Sequence, residues 1–138
     1  MTGYLDSSIL LRMVLGEVGA LPNLGFAERM VSSRLIEAES LRTLDRLRLQ
    51  GRIAPAALAV RQAQLLGWLD EIDQIAVDDD ILHRVGRPLP IPLGTLDAIH
   101  LATAERYFEF EGEPLTLATH DTQLALAARA LGLSVVGA

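Results

Sequence analysis

Cysteine and lysine are both missing from these 138 residues. Without cysteine there can be no disulfide, no thiolate zinc site and no cysteine nucleophile, and the chain fits a reducing cytoplasm. Without lysine, P-loop nucleotidases, Schiff-base enzymes and receiver domains lose the residue their chemistry depends on. All 12 basic residues are therefore arginine. Aromatic residues make up 4% of the chain, so a core has to be assembled from Leu, Ile, Val and Ala. No uncharged stretch approaches the roughly 20 residues that cross a bilayer. The N-terminus has no basic region and reaches an acid at Asp6, unlike a secretion signal.

Apolar residues make up 50% of the chain, too many for a disordered one. The length fits a single domain over residues 1–138. A net charge of −6 argues against broad, non-specific DNA binding. It is compatible with a nuclease, because a bound metal offsets acidic charge and arginines can act locally. Arg42, Arg46, Arg48 and Arg52 lie close together and either bind phosphates or form a solvated helical face.

Residues 2–5 read as a strand, and Asp6-Ser7-Ser8 supplies N-cap candidates for a helix over 7–15. Three Gly and one Pro make 16–28 a loop, with a short strand at Met30-Val31-Ser32. Ser33 is the expected cap of a helix to about Gln50, with Leu35, Ala38, Leu41, Leu44 and Leu47 at helical spacing and Gly51 as its stop. Pro55 suits the first turn of a helix over 55–69. Gln74 to Val77 reads as a strand, and Asp78-Asp79-Asp80 opens a short helix. A Pro-rich loop over 87–94 leads to Thr95, the expected cap of a helix to about Phe108. Pro114 to Ala118 reads as a buried strand, 122–131 as a helix ended by Gly132, and 133–136 as a last strand. Strands alternating with helices imply an α/β fold with a mostly parallel sheet covered on both faces. Ligands of such sheets bind beyond the carboxyl ends of the strands.

Asp6 and Asp121 both fall at that end, directly after their strands, and Asp97 lies in the first turn of a helix. Glu39 sits on the mainly apolar side of its helix, four residues after Leu35; Glu37 projects roughly 200° away, at about 100° per residue. Each acid also has an ordinary explanation: Asp6 and Asp121 as caps, Asp97 as an acid facing the helix dipole, Glu39 as a partner of Arg42. Together, carboxylates repel unless they enclose a hard cation such as Mg²⁺ or Mn²⁺. His100 reads as a satisfied structural histidine, His120 as exposed and His83 as peripheral; the three lack zinc-type spacing. Ser7, Ser8 and Thr119 carry hydroxyls that cap helices or orient the neighbouring acids.

Four strings then resemble the acidic motifs of PIN domains in their usual order. They are Tyr4-Leu5-Asp6-Ser7-Ser8-Ile9-Leu10, the stretch from Ser32 through Glu39 to Arg42, Leu96-Asp97-Ala98-Ile99-His100-Leu101-Ala102-Thr103-Ala104, and Leu117-Ala118-Thr119-His120-Asp121-Thr122-Gln123-Leu124. The third is the most specific; in the fourth an aromatic residue often holds the place of His120. The likeness covers nearly the whole chain and is nearest to the small VapC toxins of VapBC toxin–antitoxin pairs. It implies a three-layer α/β/α sandwich and a Mg²⁺- or Mn²⁺-dependent endoribonuclease. The same resemblance makes Asp6, Glu39, Asp97 and Asp121 the catalytic and metal-binding acids, Asp121 acting directly or through water. It further implies a VapB-type antitoxin, an RNA substrate and a homodimer. A rival reading is a PIN-like protein-interaction module without catalysis. A phosphotransferase using Asp6 would want a second acid where Ser8 stands.

Overall fold

The computed structural model describes residues 1–16 and 27–138. Most of the expected loop over 16–28 lies outside the described residues. Along the chain run β1 (Thr2–Leu5), α1 (Ser7–Leu15), β2 (Arg29–Ser33), α2 (Leu35–Leu49), α3 (Pro55–Asp70) and β3 (Asp73–Ile75). They are followed by α4 (Asp79–Val85), α5 (Thr95–Glu111), β4 (Leu115–Ala118), α6 (Thr122–Ala130) and β5 (Ser134–Val136).

The sheet has the order β3-β2-β1-β4-β5, with every pairing parallel. The chain steps outward from β1 through β2 to β3, then crosses to the other side of β1 for β4 and β5. The order therefore reverses between β1 and β4, the crevice where doubly wound sheets bind ligands. Those two central strands are buried along their whole length, as strands covered on both faces should be, with Thr2 and Thr116 the polar residues among them. β3 and β5 are short edge strands of three residues each.

Side-chain alternation along β1 divides the core in two. Leu5 packs with Ile9, Leu10 and Val14 of α1, Ile36 and Leu44 of α2, and Leu65 and Leu69 of α3. Tyr4 faces the opposite layer, with Leu101 and Ala104 of α5 and Leu124, Ala127 and Ala128 of α6. A smaller cluster of Ile81, Ile99 and Ala102 seats α4 against α5. These are the three layers of the expected sandwich, and the core is aliphatic, as the shortage of aromatics requires.

Local chemistry sets the helix ends. Asp6, Asp78 and Asp121 each accept the backbone N–H three residues on, capping α1, α4 and α6. Gly51, at φ 71°, follows α2 where a left-handed residue is needed. Two expected caps differ. Gly94, not Thr95, is the N-cap of α5, and Thr95 is already in the first turn. Arg34 occupies the N-cap of α2, although Ser33 Oγ still accepts the Leu35 N–H at 3.2 Å. α5 runs three residues past the expected Phe108 and ends at Gly112, φ 64°. β3 covers 73–75 rather than 74–77.

Candidate active site

Asp6 follows β1 directly and is 4% exposed. A carboxylate buried there must spend its lone pairs on donors. Its Oδ1 accepts from Ser8 Oγ at 2.6 Å and from the Ile9 N–H at 3.3 Å. Its Oδ2 accepts from Thr119 Oγ1 at 2.5 Å. Thr119 in turn accepts the Asp121 N–H at 3.0 Å, and Ser8 Oγ accepts the His120 N–H at 3.0 Å. Two hydroxyls thus lace the end of β1 to the end of β4 across the switch point. Ser8 and Thr119, read from sequence as caps or orienting hydroxyls, orient Asp6; the cap is Asp6 itself.

Glu39 arrives from the second turn of α2. Its Oε1 meets His100 Nε2 of α5 at 2.5 Å. His100 Nδ1 lies 2.8 Å from the Tyr4 hydroxyl, which accepts the Ser33 N–H at 3.0 Å. The two rings meet edge to face, with centroids 5.8 Å apart. His100 is a satisfied buried histidine, but its partner is one of the four acids. Burial holds the Tyr4 hydroxyl far above its ordinary range, so it stays protonated. Tyr4 was not among the candidate site residues singled out from the sequence; the available signal was an aromatic residue in a short strand expected to be buried, whose hydroxyl needs a partner.

Asp97, three residues before His100, shows how close the acids stand. Burial raises its pKa first; the charges of Asp121 and Asp6 add to this, His100 opposes it, and Glu39 adds again. Asp97 therefore feels the charge of three acids from three other segments of the chain. No three of the described acids and histidines are gathered closely enough to clasp a metal as they stand. The donor set nevertheless suits one. It is all oxygen and anionic, its members repel one another, and such sites take hard cations. Hydrogen bonds also leave capacity: three of the roughly four lone-pair sites of Asp6 are used, and Glu39 keeps a second oxygen.

Other candidates fall elsewhere. His120 is half-buried rather than exposed, and its Nδ1 donates to the Gly137 carbonyl at 3.1 Å. His83 is exposed on α4, as expected. In the arginine stretch, Arg42 and Arg48 both pair with Asp45, at 3.0 and 2.8 Å. Their charge is partly spent within the helix, which favours the solvated-face reading. Arg34 stands exposed at the carboxyl edge and lines a shallow depression with Leu35, Ala38, Gln74 and Val77.

Residues 3–130 match the PIN domain family. The chain belongs to that family, among the VapC ribonucleases. It is 37% identical over 136 residues to Ribonuclease VapC46 of Mycobacterium tuberculosis, covering 96% of this chain and 95% of the relative. Two solved structures share the fold. VapBC2 from Rickettsia felis, bound to a DNA fragment from its promoter, matches with TM-score 0.68 and 15% identity over 98% of this chain and 97% of that one. VapBC-5 from M. tuberculosis, a toxin–antitoxin family member, matches with TM-score 0.60 and 19% identity over 98% and 97%. No helix among the described residues is long and apolar enough to cross a membrane.

Proposed function

We propose that this protein is a Mg²⁺- or Mn²⁺-dependent endoribonuclease, the toxin of a toxin–antitoxin pair acting in the cytoplasm. The observation that carries the reading is geometric: Ser8 and Thr119 hold Asp6 in the crevice between β1 and β4, Thr119 also accepts the Asp121 N–H, and Glu39 meets His100 one turn after Asp97. The likeness to a ribonuclease over 96% of the chain supports the same chemistry. A divalent cation, when bound, supplies positive charge that polarises a phosphodiester and lowers the pKa of an attacking water.

The chain's own residues do the rest. Ser8 and Thr119 fix the Asp6 carboxylate, so that it offers its remaining lone pair without searching rotamers. His100 holds one oxygen of Glu39. Asp97 and Asp121, half-buried at the mouth, complete the anionic ring. Arg34 offers an exposed cation at the same edge for a backbone phosphate. A single-stranded or looped RNA, with its bases splayed, suits an open edge better than a duplex. A VapB-type antitoxin is the inferred partner, supported by the VapBC assemblies that share the fold, and the working form is inferred to be a homodimer.

The test is RNA cleavage by the purified protein. Cleavage is expected with Mg²⁺ or Mn²⁺, and should be lost in EDTA and in Asp97→Asn. An Asp97→Asn protein that cuts at the wild-type rate would overturn the assignment.

A further inference from the structure

We propose that Tyr4 and His100 are positioning residues for Glu39, fixing its rotamer and deciding which of its two oxygens is left for a cation. The inference rests on the metal-site reading above and names residues that reading does not require. Tyr4 is fully buried and His100 1% exposed, while the Glu39 side chain is 16% exposed at the boundary. The network therefore runs from the interior outward and ends on the acid.

Proton counting fixes its direction. An ionised Glu39 can only accept, so His100 Nε2 must carry a proton. In the neutral ring Nδ1 is then the acceptor, and the Tyr4 O–H donates to it at 2.8 Å. The Ser33 N–H, donating to the Tyr4 oxygen at 3.0 Å, turns that hydroxyl's proton toward the ring. Ser33 ends β2 just before α2 begins, so the network is anchored at the root of the helix that carries Glu39. Four elements are joined to hold one carboxylate: β1, α5 and α2 through side chains and β2 through the Ser33 backbone N–H. A histidine with only a packing role would not need both ring nitrogens on side chains, nor, one turn from Asp97, end on a second candidate acid. Groups arranged in this way around metal-binding carboxylates usually tune affinity by 10- to 100-fold.

Two substitutions separate the roles of the two nitrogens. His100→Gln places an amide N–H near the position of Nε2 and can still donate to Glu39. His100→Asn reaches only the position of Nδ1 and can still meet Tyr4. With Mn²⁺ affinity measured by calorimetry, His100→Asn should bind about tenfold more weakly than wild type. His100→Gln should stay within about threefold. In a Glu39→Gln background, adding His100→Asn should change Mn²⁺ affinity no further, as expected if both act through one interaction. Equal losses in the two single variants, or none in either, would overturn the inference. Should the variants fail to fold, the wild-type ¹⁵N spectrum decides: a proton on His100 Nε2 is expected, and a ring protonated only on Nδ1 would refute it. A wild-type protein that binds no Mn²⁺ overturns the metal-site reading itself. Wild-type binding with an unaffected Asn variant sinks this inference alone.

Discussion

Asp6 joins two jobs in one carboxylate, and that is why its sequence context was ambiguous. Its Oδ1 caps α1 while its Oδ2 holds Thr119 across the switch point. A cap and a site acid look identical in a single sequence, because both follow a strand and precede a helix. Asp121 repeats the pattern, capping α6 through Oδ1. Asp97 is different, since its neighbours make its charge costly. Its folded carboxyl sits above the ordinary value of about 3.9, so the native state holds that proton more tightly than the unfolded chain. Stability from this group is full below the ordinary value and is lost as pH rises through the raised one. In cation-free buffer, Asp97→Asn should therefore melt above wild type at neutral pH, and the two should converge in acid. A neutral-pH melting point for the Asn variant at or below that of wild type would contradict the crowding of the four acids. The carboxyl is half-exposed, so solvent moderates the size of the effect.

At the scale of elements, helical periodicity placed α2 well, and Gly51 marked its end. The expected apolar stripe is only partly the buried face: the buried residues are Ile36, Ser40 and Leu44, Leu41 packs against the core, and Ala38 is exposed. Glu39 lies near the edge of that face and turns toward α5, while Ile36 and Leu44 anchor the helix. Leu44 is fully buried, so Leu44→Ala should lower unfolding free energy by about 2–5 kcal/mol, measured in urea with an unchanged slope. Cleavage per folded molecule should stay near wild type, because Leu44 packs in the apolar core and carries no polar group for the chemistry. A variant of wild-type stability would mean that α2 is not seated as described. The helix starts were less legible. Thr95 and Ser33 have the right chemistry for caps, but the backbone turns one residue later than Ser33 and one earlier than Thr95, at Arg34 and Gly94. Edge strands were blurred at their ends because three ladder residues leave little pattern to read. Salt links such as Arg84 with Glu105 and Glu109, or Arg106 with Asp78, bind α4 to α5 and could not be read from spacing alone.

At the scale of the molecule, alternation of strands and helices was enough to fix the class of fold. It could not give the strand order, because nothing local shows that β4 crosses β2 and β3 to pair with β1. That crossing brings Thr119 to Asp6, while α5 brings His100 to Glu39. The Tyr4–His100–Glu39 network was invisible for the same reason, since its members are 96 and 61 positions apart. Sequence resemblance named the four candidate acids, and folding put two hydroxyls on Asp6 and a histidine on Glu39. The account stands on those acids sharing one divalent cation. Diffraction from crystals soaked in Mn²⁺, recorded for the anomalous signal of manganese, tests this most directly. The account predicts a peak between the carboxylates of Asp6 and Asp97, with Glu39 and Asp121 reaching it directly or through water. Manganese bound only elsewhere, with this cluster empty at millimolar Mn²⁺, would contradict it.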